Sequence, residues 1–158
     1  MQTLDPRNLT GEQLGTLERL TQACLDLARI DREAARKLEG PAAQLHPRGA
    51  AGLLKTFASE AERASVRLAD LAAVGDARAL GGRSWGDVAA DFEGANGYAV
   101  LLEVEQAHGR LVQLLGEKVL AHADDGLGAT LLQEYAKATA ICDRVRSLRV
   151  ASREPLAS

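Results

Sequence analysis

The chain has 158 residues, a formal net charge of −3, 26% charged residues and only 3% aromatics. A domain of this length buries roughly two-thirds of the surface of its unfolded chain, so folding requires neither a disulfide framework nor a metal staple. Mild acidity excludes the one-sided basic footprint of a nucleic-acid binder, the scarcity of β-branched and aromatic residues excludes a sheet protein, and no stretch approaches the ~18 uninterrupted apolar residues of a membrane span.

The first predicted helix covers about 10–39. Thr10 and Gln13 have the spacing of a capping box, in which a hydroxyl accepts from the third amide and the glutamine reaches back to the cap. Gly40 and Pro41 stop it, one by tolerating the left-handed conformation and the other by lacking an N–H. Its apolar seam runs Leu17, Thr21, Cys24, Ala28, Asp31, Ala35, Leu38. Asp31 is the one acid on that face.

The second helix is predicted over about 47–74, with Pro47 suited to its first turn and Gly75 past its end. Its seam, Ala50, Leu54, Phe57, Ala61, Ala64, Leu68, Leu71, has no polar break. Residues 76–96 are the least regular part: Leu80, Gly81 and Gly82 form a breaker, and a short helix is expected at about 85–93, with Trp85 capping one end of the core.

The third helix, about 97–122, places Tyr98, Leu101, Glu105, His108, Val112, Leu115, Val119 and His122 on one face. A glutamate and a histidine three residues apart therefore look inward. The fourth, about 124–149, opens on Asp124 and Asp125, whose charges suit a helix N-terminus. Its seam is Leu127, Leu131, Glu134, Ala138, Ile141, Val145, Leu148. Arg144, Arg146, Arg149 and Arg153 cluster near its end, where cations complement the helix dipole.

Helices of about 26 residues are about 40 Å long, which suits an all-α four-helix bundle with side-on packing as a single domain. The long link between the second and third helices favours a crossover, and hence an up-down-down-up order. Cys24 and Cys142 read as small buried hydrophobes in a reducing, cytoplasmic setting.

On the stretch Leu53, Leu54, Lys55, Thr56, Phe57, Ala58, then Ala61, Glu62, Arg63 to Leu68, with the Leu80-Gly81-Gly82 break and the Glu103/Glu105 region, the chain resembles a family of small bacterial proteins of unknown function. The resemblance extends from about Leu14 to Leu148. It implies a ferritin-like bundle and no activity.

Ferritin-like carboxylate proteins that bind two irons use two lone Glu residues and two Glu-x-x-His pairs. Glu105 to His108 is one such pair. Glu60 and Glu62 are followed by Arg63, and Glu134 by Lys137, so cations stand where histidines would be needed. With a crossover, the helical rise brings Asp31, Glu105 and His108 to one level, with Glu60 and Glu134 as outer members. Iron, manganese or zinc is the metal such a set would take.

A structural alternative stands beside this one. His108 then bonds Glu105, Asp31 pairs with Arg32, Lys37 or Arg63, and Glu134 is neutralised by Lys137. His46 and His122 read as surface residues. Neither a phosphate loop, a Cys-x-x-Cys pair nor a local nucleophile with its base is visible.

The expected function is therefore that of a non-catalytic interaction or stress-associated bundle. Self-association is expected through a second apolar flank, Leu20, Leu27 and Ala34 on the first helix and Leu53, Ala58 and Ala72 on the second. A metal site is the alternative. A small apolar ligand held where Ala61, Ala64 and Ala138 leave room is the third reading.

Overall fold

The computed structural model of the chain describes residues 4–39, 49–76 and 97–152. These form four helices, α1 (Gly11–Leu38), α2 (Ala50–Asp76), α3 (Gly97–Ala121) and α4 (Leu127–Ala151), with no strand among the described residues. The expected short helix at about 85–93 with Trp85, together with His46 and Pro47, lies outside them.

The α1 start is the expected capping box: Thr10 Oγ1 accepts from the Gln13 N–H at 3.1 Å, and Gln13 Oε1 accepts from the Thr10 N–H at 2.8 Å. Helix α4 begins three residues later than predicted. Asp125 does not enter the helix. Its carboxylate instead accepts from the Leu127 N–H at 3.0 Å, and Gly126 takes a positive φ of 87°. Two residues on, a Cβ at Gly128 would lie 2.7 Å from the His122 carbonyl oxygen and 2.9 Å from that of Val119. Only glycine lets the first turn of α4 close this tightly on the end of α3.

The seams face inward. All seven α1 positions are buried, Asp31 included; so are Ala50, Leu54, Phe57, Ala61 and Leu68 on α2, while Ala64 and Leu71 are half-buried. Each fully buried Leu contributes on the order of 2 kcal/mol relative to an exposed one. The second flank is buried too: Leu20, Leu27, Ala34, Ala58 and Ala72 are all core, with only Leu53 half-buried. All of these but Leu53 therefore pack inside the bundle.

Contacts set the helix directions. Arg32 Nε donates to Glu62 Oε1 at 2.8 Å and Lys55 pairs with Glu39, so α2 runs antiparallel to α1. Thr16 meets His122 and Asp31 meets His108, so α3 also runs antiparallel to α1. Arg146 bonds Glu105, and the Tyr135 ring packs where a Gly116 side chain would be, so α4 returns antiparallel to α3. Helices α2 and α4 touch only sparsely. They are bridged by Arg67–Glu134 and by Arg144 lying 4.9 Å over the Phe57 ring.

Candidate functional site

Of the five acids and histidines singled out as metal donors, two come together. His108 Nε2 lies 2.9 Å from both carboxylate oxygens of Asp31. Both residues are core, at 3% and 0% exposure. With Asp31 ionised, the Nε2–H donates to the carboxylate, which leaves Nδ1 as the free ring nitrogen. Nδ1 makes no hydrogen bond among the described residues. Phe57 packs edge-on against the imidazole with centroids 6.3 Å apart.

Burial pushes the Asp31 carboxyl above its ordinary range, while the His108 hydrogen bond and the charges of His108 and Arg32 pull it back. Asp31 was expected to pair with Arg32, Lys37 or Arg63 and His108 with Glu105. Instead they partner one another across α1 and α3.

Glu105 is not beside His108. Three residues along a helix correspond to a rotation about 60° short of a full turn. That offset carries Glu105 to the α4 side, where Arg149 and Arg146 both bond it, the latter at 3.1 Å. Although burial pushes its carboxyl up, these hydrogen bonds and charges together hold it below the usual range. Glu60 pairs with Arg63 on its own helix. Glu134 accepts a bidentate pair from Arg67, at 2.7 and 2.9 Å, with Lys137 further off at 3.9 Å.

The five therefore occupy separate places. Among the described residues no group of three or more His, Cys, Asp or Glu is placed to hold a metal ion. Two donors, Asp31 and His108, do not fit iron, manganese or zinc centres that need four or more ligands, and Glu105 is already committed to two guanidinium groups.

A narrow pocket lies between α2 and α4, with His108 and Cys24 at its floor and Ala61, Ala64 and Ala138 along its walls. Arg67, Glu134 and Lys137 stand at one end of it. Cys24 offers no nucleophile there. Burial, then the charge of Glu134 against that of Arg67, pushes its thiol up to about 12, so it stays protonated and unreactive.

His122 corrects a further expectation. It is buried at 2% exposure rather than at the surface. Its Nε2 bonds Thr16 Oγ1 at 2.8 Å and its Nδ1 bonds Asp125 Oδ2 at 2.6 Å. The backbone carbonyl of Asp125 accepts in turn from the Gln13 amide at 3.4 Å. The cap of α1 and the α3–α4 turn thus share one polar cluster. Both ring nitrogens of His122 are used, so this cluster has no open coordination position.

Arg67 is the pocket residue that sequence reasoning passed over. Its signal was its spacing, since positions 60, 64, 67 and 71 form one stripe on α2 that shares Ala64 and Leu71 with the seam.

No family model matches the chain, and no curated protein or solved structure matches it significantly. Among the described residues, no helix is long and apolar enough to cross a membrane.

Proposed function

We propose that the chain is a non-catalytic bundle of ferritin-like, up-down-down-up order that acts in the cytoplasm by binding rather than by chemistry. The helix directions support that order, because α2 and α3 both run antiparallel to α1 and α4 runs antiparallel to α3. Two free, buried cysteines are in keeping with a reducing compartment.

The observation that carries the reading is the neutralisation of the inward acids by the protein itself. Asp31 has His108, Glu134 has Arg67, Glu60 has Arg63, and Glu105 has two arginines. Where a ferritin-like oxidase needs unsatisfied carboxylates converging on one point, this chain supplies ion pairs and one histidine. The open nitrogen of the Asp31–His108 pair, His108 Nδ1, has no nucleophile to activate in Cys24, because that thiol stays protonated.

Elemental analysis of protein purified without chelator or histidine tag tests the reading, followed by titration of iron, manganese and zinc into native protein and His108→Leu. The expected result is no stoichiometric metal in either. Metal bound one-to-one by the native protein and lost in the variant would overturn the reading in favour of a ferritin-like metal site.

A further inference from the structure

The sparse contact between α2 and α4 has a local cause. Ala61 and Ala64 on α2 face Ala138 on α4, and none of the three is long enough to close the gap. Two bridges keep it from collapsing. Arg67 clamps Glu134 at one end, and Arg144 lies over the Phe57 ring at the other. Ten residues of α2 separate the bridges, so the slot is about 15 Å long. Leu111 and Leu115 continue its floor between His108 and Cys24.

Its shape is selective. The enclosed space is small, about 40 Å³, and the slot is open on its outer side. A flexible chain one methylene wide fits such a slot, and a broad ring system does not. His108 at the floor is already held by Asp31, so the apolar lining takes the body of an occupant and a polar end belongs at the rim.

The charge at the rim gives the sign of that polar end. Arg67 and Lys137 line the slot and Arg144 lies over Phe57 at its end, against Glu60 and Glu134. Glu60 is used by Arg63 and Glu134 by Arg67. Lys137 lies 3.9 Å from the already bidentate Glu134, and Arg144 has no carboxylate partner among the described residues. These two cations are seven residues apart on α4, so they overlook the slot from one face.

Resting on the proposal that the bundle binds rather than reacts, we infer that this slot is a binding site for a free medium-chain alkyl carboxylate. The chain lies along Ala61, Ala64 and Ala138 over Leu111 and Leu115, and the carboxylate sits at the mouth between Lys137 and Arg144.

Calorimetric and NMR titration of the full chain with sodium decanoate, kept below its micelle concentration, tests this. Saturable one-to-one binding is expected. Ala64→Leu should fill the slot and weaken binding about tenfold or more, and Ala138→Leu does the same if the first variant loses its helical circular dichroism. The double variant Lys137→Glu/Arg144→Glu should weaken decanoate about fivefold while leaving decanol unchanged.

Absence of binding by the native protein, binding only above the micelle concentration, or binding undiminished in the folded alanine variants would overturn the inference. None of these outcomes touches the metal titration, whose failure would overturn the non-catalytic reading instead.

Discussion

Replacing His108 by Leu removes what is, among the described residues, the only hydrogen-bond partner of a carboxylate with no exposed surface. Breaking a buried pair from one side costs roughly 3–5 kcal/mol, because the remaining charge must be desolvated alone. In a domain of this size each kcal/mol shifts the melting temperature by about 2–4 °C, so a fall on the order of 10 °C is expected. The loss should depend on pH. Burial already raises the Asp31 carboxyl, and the variant deletes the two largest influences that lower it, the hydrogen bond and the charge of His108. The native variant then holds a proton that the unfolded chain releases above about pH 3.9. With more protons bound in the native state, stability rises as pH falls. The deficit against wild type should therefore narrow between pH 7 and pH 5. The double variant Asp31→Val/His108→Leu replaces both members by apolar groups and should lie within about 1 kcal/mol of wild type. Urea unfolding of wild type, both single variants and the double variant at the two pH values gives the coupling energy directly. A His108→Leu loss below about 1 kcal/mol at pH 7, or a double variant that loses the sum of the singles, would refute the reasoning.

Gly128→Ala should cost about 1–3 kcal/mol, because the atoms in its way are backbone and cannot swing aside. Gly15→Ala, with open space at the same test, should stabilise by about 0.5–1 kcal/mol; thermal melts that rank the two the other way would contradict the packing at the α3–α4 turn. Glu105→Gln should flatten the acid limb of the stability curve. The folded carboxyl is held low, so its contribution is present above its ordinary value near 4.5 and is lost as pH falls through the folded value. An unchanged slope below pH 4.5 would show that the two arginines do not hold it. Cys24, with a thiol pushed up to about 12 and 1% exposure, should react with a thiol reagent at pH 8 only as fast as the protein unfolds. Labelling of Cys24 much faster than unfolding would show that the pocket floor opens to solvent.

What was legible in the residues was mostly what a single helix carries within itself. The period of the seams placed much of the core on α1, α2 and α4 but on α3 passed over Val100, Val104, Ala107 and Leu111, and Thr10 with Gln13 marked the α1 start to the residue. The meeting of Asp31 with His108 was legible at one remove: the level of each along its helix follows from the helical rise once α3 is taken to start at the end where α1 stops. Glu105 shared that level and still turned away, because azimuth rather than height decides its partner, and the arginines that bond it are about forty residues further along the chain. Arg67 was missed for the same reason, since its partner Glu134 is far off in sequence. His122 was misread because a histidine at a helix end is ordinarily exposed; nothing local shows that the α1 cap folds over it. The alanines at positions 61, 64 and 138 pointed to a gap, but not to the two bridges that hold it open.

His108 on α3 and His122 just past its end have a joint consequence. Thr16 and Asp31 are fifteen residues apart on α1, and their partners are fourteen apart, His108 on α3 and His122 just past its end, spans of about 22 and 21 Å at the helical rise. Seams built from Ala and Leu are forgiving of a slide by one turn, since one small apolar side chain replaces another. Two polar pins at matched spacing are not: a slide that breaks one breaks both and strands four buried polar groups together. The pair acts as a vernier between α1 and α3, and an insertion or deletion of a single residue anywhere between His108 and His122 would leave at most one pin engaged.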